Sequence, residues 1–192
     1  MINKILWTIR ALVYKPFFGM FGFPSYIGKP IILSNTRKFF IGKRVRIFPF
    51  SRMEVVDEKS SIVFEDNISI GQYFHIISKG KLVIGQNTTI SANVLITNID
   101  HEYQEIDKHI LNQPLITKHT QIGENCFIGY GAVIQAGTIL GKQCIVGANA
   151  VVRGHFPDYS VIVGIPAKII KRYDPKLKLW RKTNNKGEFI NE

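Results

Sequence analysis

Residues 122–153 read IGENCF IGYGAV IQAGTI LGKQCI VGANAV VR, which is a series of six-residue units. An aliphatic residue opens every unit, at positions 122, 128, 134, 140, 146 and 152, and glycine follows it in four of the six. A helix of 3.6 residues per turn would not repeat in sixes, and a flat strand would alternate in twos. The pattern therefore predicts short strands joined by tight corners, with the aliphatic side chains facing inward and three strands closing each triangular coil. Glycine is expected to relieve the turn at each corner.

The same spacing occurs earlier in the chain. It begins weakly at Ile41, is clear from Ile84 and stops after Ile96. Ile116 lies 20 residues after Ile96, which is not a multiple of six, and it is in phase with the units quoted above. The break predicts that residues 97–115 leave the coil as a loop, and loops that leave a rigid repeat body commonly carry function.

The two ends of the chain do not follow the repeat. One apolar stripe within residues 2–13 predicts an amphipathic helix, and Pro16 should end it. The members of the stripe are Ile2, Ile5, Leu6, Ile9, Leu12 and Val13. Such a helix could pack on the body or a neighbouring subunit, or lie on a membrane surface, and both alternatives stay open. Residues 17–30 are aromatic and broken by glycine and proline, which favours a loop.

Beyond Val163, Pro166 breaks the pattern, and a short basic helix around residues 174–182 is predicted to cap the coil stack. The expected organisation is therefore an N-terminal helix and loop (1–40), a β-helix domain (41–172) and a basic C-terminal cap (173–192).

Composition sets the broad class of protein. The chain has 192 residues, 45% of them hydrophobic, which suits one domain with a sizeable core. No apolar run is long enough to predict a transmembrane helix, and the N-terminus lacks the small-residue cleavage site of a signal peptide. Cys126 and Cys144 are 18 residues apart and would stack in successive coils, where two small buried thiols are favoured over a disulfide. A cytoplasmic location is the expectation.

The net charge of +11 is unevenly distributed. Residues 1–50 contain nine Lys or Arg and no Asp or Glu, whereas residues 51–167 contain eight basic and eleven acidic residues. Residues 168–192 contain eight basic and three acidic residues. Basic ends suit an anionic membrane surface, a phosphorylated substrate or nucleic acid, although solvated tails would explain the C-terminal charge equally well.

The predicted loop opens with TNIDHEYQEID at residues 97–107, so that His101 lies where the chain leaves the coil. Histidine is the side chain best suited to general-base catalysis at neutral pH. One of three nearby carboxylates, Asp100, Glu102 or Glu105, is expected to orient the imidazole.

The hexads, the TNIDH loop and the closing VIVGIPAKII resemble the hexapeptide-repeat acyltransferases, particularly the galactoside and maltose O-acetyltransferases and the sugar O-acetyltransferases of surface-polysaccharide synthesis. The resemblance covers about residues 41–172. It implies a mainly β fold, a left-handed parallel β-helix whose handedness comes from the resemblance alone. It also implies acetyl-CoA as co-substrate, no metal, and a homotrimer with active sites between subunits.

Site residues follow from the resemblance position by position. His101 would be the general base, and Phe127 would stand beside the acceptor, with Asp100 and His75 on the same side. Tyr130 occupies a position near the thioester where the family often has a small residue. The remaining coenzyme positions match Ala148, Arg153, Lys168 and Lys171.

Other functions are less favoured by the sequence. The γ-class carbonic anhydrases share the β-helix but use a His-x4-His pair, which histidines at 75, 101, 109, 119 and 155 do not form. A non-catalytic module that binds nucleic acid is allowed by the charge, but no nucleic-acid motif supports it. Among acyltransferases, a sugar hydroxyl is the expected acceptor, and an amino sugar or the serine hydroxyl remains an alternative. The basic, amphipathic N-terminus fits a lipid-linked acceptor at the inner membrane face.

Overall fold

Three sheets of short parallel strands wind into a coil of six complete turns and a partial seventh. The computed structural model describes residues 2–190, and side chains from residue 4 onward. Sheet A contains β1 (Met20–Phe21), β4 (Phe39–Ile41), β7 (Ser61–Phe64), β10 (Lys81–Ile84), β15 (Thr120–Ile122), β18 (Ile139–Leu140) and β21 (His155–Phe156). Sheet B contains β2 (Tyr26–Ile27), β5 (Arg46–Ile47), β8 (Ser69–Ile70), β11 (Thr89–Ile90), β16 (Phe127–Ile128), β19 (Ile145–Val146), β22 (Ser160–Gly164), β23 (Ala167–Asp174) and β24 (Leu179–Lys182). Sheet C contains β3 (Ile32–Ser34), β6 (Arg52–Val55), β9 (His75–Ser78), β12 (Leu95–Thr97), β17 (Val133–Ile134) and β20 (Val151–Val152).

Columns of aliphatic side chains fill the inside of the coil, as the hexads predict. In sheet B the paired residues Ile70, Ile90, Ile128 and Val146 stack on one another and are almost completely buried. Burying an aliphatic side chain of this size contributes roughly 1.5–3 kcal/mol, so the repeat itself supplies most of the core. The chain turns from sheet B to sheet C at the B–C edge and from sheet C to sheet A at the C–A edge.

The regular spacing of glycine within the repeat has a different cause from the one predicted. Gly129 does not adopt a left-handed conformation; a Cβ placed on it would lie 2.6 Å from the backbone nitrogen of Ala148 in the next coil. The left-handed corner position comes two residues later in the unit, at residues such as Asn125 (φ 57°) and Asn149 (φ 56°). The glycine directly after the aliphatic residue therefore permits the close stacking of coils, whereas asparagine, or a second glycine such as Gly131 (φ 69°), adopts the turn.

The coil begins earlier than predicted. Strands β1 to β3 build a first turn from residues 20–34, a region expected to be loop, so the boundary at residue 41 is too late. In sheet B, Ile27 pairs with Ile47, Ile47 with Ile70, and Ile70 with Ile90, so these turns contain 20, 23 and 20 residues instead of 18. Longer corners and inward-facing aromatics such as Phe21 hide the six-residue period in this part of the chain.

The C-terminal cap is a sheet extension and not the predicted helix at 174–182. Strand β23 turns back antiparallel on β22, and β24 pairs antiparallel with β23. The buried carboxylate of Asp174 accepts hydrogen bonds from the backbone of Lys176 and Leu177 and pairs with Arg181, which fixes the turn between these strands. Antiparallel pairing supplies hydrogen-bond partners to the edge of sheet B at β22. The predicted helix was expected to cover this end of the coil.

Helix α1 (Ile2–Tyr14) precedes the coil and is followed by a single 3₁₀ turn (Lys15–Phe17), in agreement with Pro16 as its end. Two further 3₁₀ turns occupy Thr36–Lys38 and Ile110–Asn112. No helix within residues 2–190 has the length and apolar character needed to cross a bilayer. Cys126 and Cys144 are buried free thiols, as predicted. The contact with Cys144, together with burial, raises the pKa of the Cys126 thiol.

Candidate active site

The chain leaves the coil directly after β12 and returns at β15, which confirms the predicted excursion. Its base is an antiparallel hairpin of β13 (Ile99–His101) and β14 (Leu115–Thr117). Ile116, expected to rejoin the coil, instead pairs with Asp100 inside the hairpin, and the coil resumes at Thr120. Its phase with the hexads is therefore accidental, because the excursion has its own strand pairing.

Two buried amides hold the excursion in place. Asn98 accepts a hydrogen bond from the Lys79 nitrogen (2.9 Å) and donates one to the Lys79 carbonyl (2.8 Å) in the coil below. Gln113 closes the outer loop, since it accepts from the Glu105 nitrogen (3.2 Å) and donates to the carbonyls of Glu105 (3.1 Å) and Lys108 (2.9 Å). The excursion is thus a fixed platform attached at the C–A edge.

His101 ends β13 and is exposed to solvent. It lines an open cavity of about 370 Å³ together with Tyr103, Lys118 and Arg153, among other residues of the excursion and the coil. Within the described residues its imidazole forms no hydrogen bond or ion pair, so both ring nitrogens are available to a ligand in the cavity. The geometry therefore suits a proton-accepting group on a rigid support.

Asp100, next to His101, joins the hairpin to the coil. Its carboxylate accepts a hydrogen bond from Lys118 Nζ (2.9 Å) and pairs with the guanidinium of Arg153 from the neighbouring corner. Burial alone would raise the pKa of Asp100, but the hydrogen bonds and charges of Lys118 and Arg153 outweigh it and hold the pKa below its usual value. The aspartate is therefore an anion that fixes two cations beside the cavity.

The expectation that a nearby carboxylate orients His101 is wrong for this structure. The Asp100 carboxylate forms ion pairs with Lys118 and Arg153, as described above. Glu102 accepts hydrogen bonds from the backbone nitrogens of the two residues that follow it, and Glu105 pairs with Lys108. Each carboxylate is used to shape the excursion, and the position of His101 comes from β-strand pairing with Leu115.

Three of the predicted coenzyme-binding residues lie along the B–C edge. Tyr130 and Ala148 occupy successive corners and are linked by a hydrogen bond of 2.8 Å from the Asn149 nitrogen to the Tyr130 carbonyl. The exposed Tyr130 hydroxyl accepts a hydrogen bond from Asn93. Lys168 follows the tight turn at the top of the same edge, where it pairs with Val163. A small residue between an aromatic and a cation leaves room for an elongated anionic ligand along this edge.

The remaining predicted residues are elsewhere. Arg153, expected to contact the coenzyme, lies at the C–A edge with Asp100. Lys171 is exposed on β23 farther from the B–C edge, opposite Val161. Phe127 is half-exposed on the outer face of sheet B. The structure therefore separates the predicted set into residues at the B–C edge, residues at the C–A edge, and Phe127 and Lys171 on sheet B.

His75 lies on the outer face of sheet C, between Arg52 and Leu95 of the neighbouring coils. Burial and the charge of Arg52 lower its pKa, against an opposing effect of Glu54, whose carboxylate is 3.7 Å from Nε2. The imidazole is consequently neutral near pH 7 and can accept or donate a hydrogen bond on this face.

Sequence reasoning missed Lys118, Asn98 and Gln113. Lys118 is 18 positions from Asp100 in the sequence, and the two come into contact only because β14 returns antiparallel to β13. Asn98 and Gln113 are buried polar side chains. Each forms its hydrogen bonds with backbone groups, Asn98 at the base of the excursion and Gln113 in its outer loop. A polar residue just beyond the phase break was the only available signal for Asn98.

Comparison with known proteins agrees with this geometry. Residues 119–154 match the model for the bacterial transferase hexapeptide, six repeats. The chain is 34% identical over 169 residues to WbbJ of Escherichia coli K12, whose name assigns it to O-acetyl transfer in lipopolysaccharide biosynthesis; the match covers 83% of this chain and 82% of WbbJ. It is also 30% identical to a dTDP-4-amino-4,6-dideoxy-D-glucose acyltransferase of Escherichia coli, over 81% of this chain and 85% of that protein.

A solved structure of AntD, an N-acyltransferase from Bacillus cereus in complex with dTDP and 3-hydroxybutyryl-CoA, superimposes with a TM-score of 0.74. It is 19% identical, and the match covers 88% of this chain and 90% of AntD. The chain belongs to the hexapeptide-repeat acyltransferases, which are enzymes built on a left-handed parallel β-helix. Within that family it is an acetyltransferase, in agreement with the name of WbbJ.

Proposed function

We propose that this enzyme transfers the acetyl group of acetyl-CoA to a sugar hydroxyl during surface-polysaccharide synthesis, with His101 as the general base. The observation that carries the proposal is the rigid hairpin that presents an unpartnered His101 to an open cavity. The similarity to WbbJ over four-fifths of both chains supports O-acetyl transfer and the polysaccharide setting.

The proposed chemistry is an acyl transfer assisted by one base. His101 accepts the proton of the acceptor hydroxyl as its oxygen bonds to the acyl carbon. The sulfur–carbon bond of the thioester then breaks, and His101 returns the proton to the leaving thiolate. A backbone N–H group stabilises the intervening oxyanion. Asp100 acts as a positioning residue, because it holds Lys118 and Arg153 beside the cavity without contacting the imidazole.

The coenzyme lies along the B–C edge in this proposal. Ala148 lets the pantetheine arm approach the backbone, Tyr130 borders the thioester, and Lys168 with the more distant Lys171 meets the phosphates. Phe127 and His75 belong to the acceptor side. These assignments rest on the family resemblance and on the exposure of each residue.

A homotrimer is proposed because the family resemblance implies one, and the geometry favours a site that is shared between chains. His101 at the C–A edge and Tyr130 at the B–C edge are separated by the width of sheet C, and six extended residues span up to roughly 20 Å. Proton transfer requires contact at about 3 Å, so one chain cannot supply both halves of a site. A neighbouring chain that brings its B–C edge to the C–A edge of the first would complete it. The proposed location is the cytoplasm, at the inner face of the membrane, where a lipid-linked glycan and the lipid surface are available.

N-acyl transfer to an amino sugar is the second candidate. A relative that is named for acyl transfer to dTDP-4-amino-4,6-dideoxy-D-glucose matches 81% of this chain, compared with 83% for WbbJ. An amine acceptor also needs a base, so His101 and its cavity serve both reactions.

The test is the release of CoA thiol by the full-length enzyme with acetyl-CoA and a panel of neutral sugars, lipid-linked glycans and nucleotide-linked amino sugars. We expect turnover with a hydroxyl acceptor and an ester product that mild base removes. A product stable to mild base would identify the amide and favour the second candidate. Binding of nucleic acid with no binding of acetyl-CoA would replace both candidates with the non-catalytic module.

A further inference from the structure

Helix α1 has two apolar faces, and only one is used inside the molecule. Its inner face packs on the first coils through Trp7, whose ring centroid lies 5.7 Å from that of Tyr26 and 5.4 Å from that of Phe48. Ala11 is buried on the same side, and Tyr14 stacks on Phe18. The helix is therefore a fixed part of the body and not a loose tail.

The outer face is the stripe recognised in the sequence, apart from Ile2, whose side chain lies outside those that the structure describes, and it points away from the protein. We define it as five residues, each between 52% and 59% exposed: Ile5, Leu6, Ile9, Leu12 and Val13. Phe17 and Met20, which follow the helix, are exposed to a similar degree. Seven exposed apolar side chains close together in the sequence of a folded protein indicate an interaction surface.

The part of the chain that carries this surface is strongly basic. The first 50 residues contain nine Lys or Arg and no Asp or Glu. Arg44 and Arg46 line a cavity of about 250 Å³ beside the helix, together with Thr8, Phe23 and Pro24. Within the described residues, neither guanidinium forms an ion pair or donates a hydrogen bond. Arginine binds phosphate with paired N–H groups, so this cavity suits a phosphate.

We propose that the outer face inserts into the interfacial region of an anionic phospholipid bilayer, while Arg44 and Arg46 bind a lipid headgroup phosphate. An amphipathic helix with a cationic surround has the composition of a peripheral membrane anchor. A two-fold contact with a second copy of the chain fits poorly, because the same unneutralised cations would face each other across it. The inference rests on α1 and the first two coils and does not depend on the acetyltransferase reaction.

The apolar arm of the test uses flotation of the full chain with phosphatidylcholine vesicles, with and without phosphatidylglycerol. We expect the protein to float with anionic vesicles and to remain in the bottom fraction with neutral vesicles. The double variant Ile9→Ser/Leu12→Ser should weaken binding on the order of tenfold or more. The control, Ile106→Ser/Leu111→Ser, removes two apolar side chains of the excursion that are even more exposed than Ile9 and Leu12, and it should bind like wild type.

The charge arm compares Arg44→Gln/Arg46→Gln with Lys176→Gln/Lys178→Gln, which lowers the net charge equally at the other end. Only the arginine pair should lose binding, by roughly fivefold or more per charge. Equal losses from both charge pairs, equal losses from both apolar pairs, or no flotation of wild type would overturn the proposal. A change in oligomer mass for Ile9→Ser/Leu12→Ser would assign the outer face to a subunit contact and would also overturn it.

Discussion

Two positions within the six-residue unit have separate roles, one in the stacking of coils and one in the corner. Gly129 lets two coils approach, whereas Asn125 adopts the left-handed corner. We therefore expect Gly129→Ala to destabilise the protein by about 1–3 kcal/mol, because the added methyl would overlap the Ala148 backbone. Asn125→Gly should change the stability by less than about 1 kcal/mol, since glycine accepts the same conformation. Thermal unfolding of both variants measures this, and equal effects would show that the corner and the stacking position are not distinct.

Asp100 gives a prediction about pH. Its carboxyl pKa is lowered in the folded protein, so its ion pairs contribute stability above the unfolded value of about 3.9 and lose it as the pH falls through the folded value. Wild type should be more stable than Asp100→Asn near pH 7 by up to about 1 kcal/mol. The difference should close below about pH 4.

Denaturant unfolding of both proteins across this range measures the difference in the free energy of unfolding. A gap that persisted at low pH would mean that Asp100 contributes through packing and not through its charge.

At the scale of the elements, the hexads were sufficient to predict the coil, its inward faces and the excursion, because six-residue spacing admits few other structures. They could not predict the first turns, where 20 or 23 residues replace 18. The C-terminal strands were missed since their antiparallel pairing depends on the free edge left by β22, a property of the assembled fold. The role of Lys118 was missed for the same reason, because its contact with Asp100 forms only when β14 returns beside β13.

Helix α1 supplies a prediction about which of its faces holds the fold together. Trp7→Ala should lower the stability by about 3 kcal/mol or more, because it removes the ring that packs on Tyr26 and Phe48. Ile9→Ser lies on the outer face and should leave stability almost unchanged. Calorimetry of the two variants without lipid tests this; a large loss from Ile9→Ser would mean that the outer face is covered in the free protein.

For the whole molecule, the two separated edges predict that subunits share the active site. His101→Ala and Ala148→Trp should each be inactive alone, the second because a bulky ring blocks the B–C edge. When the two variants are co-expressed, about one site in four would combine an intact His101 edge with an intact Ala148 edge from different chains. Mass measurement should show three times the 21.8 kDa chain.

The turnover of the co-expressed mixture should therefore recover to roughly a quarter of wild type. A mixture as inactive as its components would place the whole site within one chain.

The central claim is that His101 is the general base, and the most direct measurement is acetyl transfer by His101→Ala beside a matched His119→Ala control. His119 is exposed in the return of the excursion and belongs to no part of the proposed site. We predict that His101→Ala lowers kcat by about 10²–10⁴ while acetyl-CoA binding stays intact, and that His119→Ala behaves like wild type. Full activity of His101→Ala with the natural acceptor would contradict the mechanism.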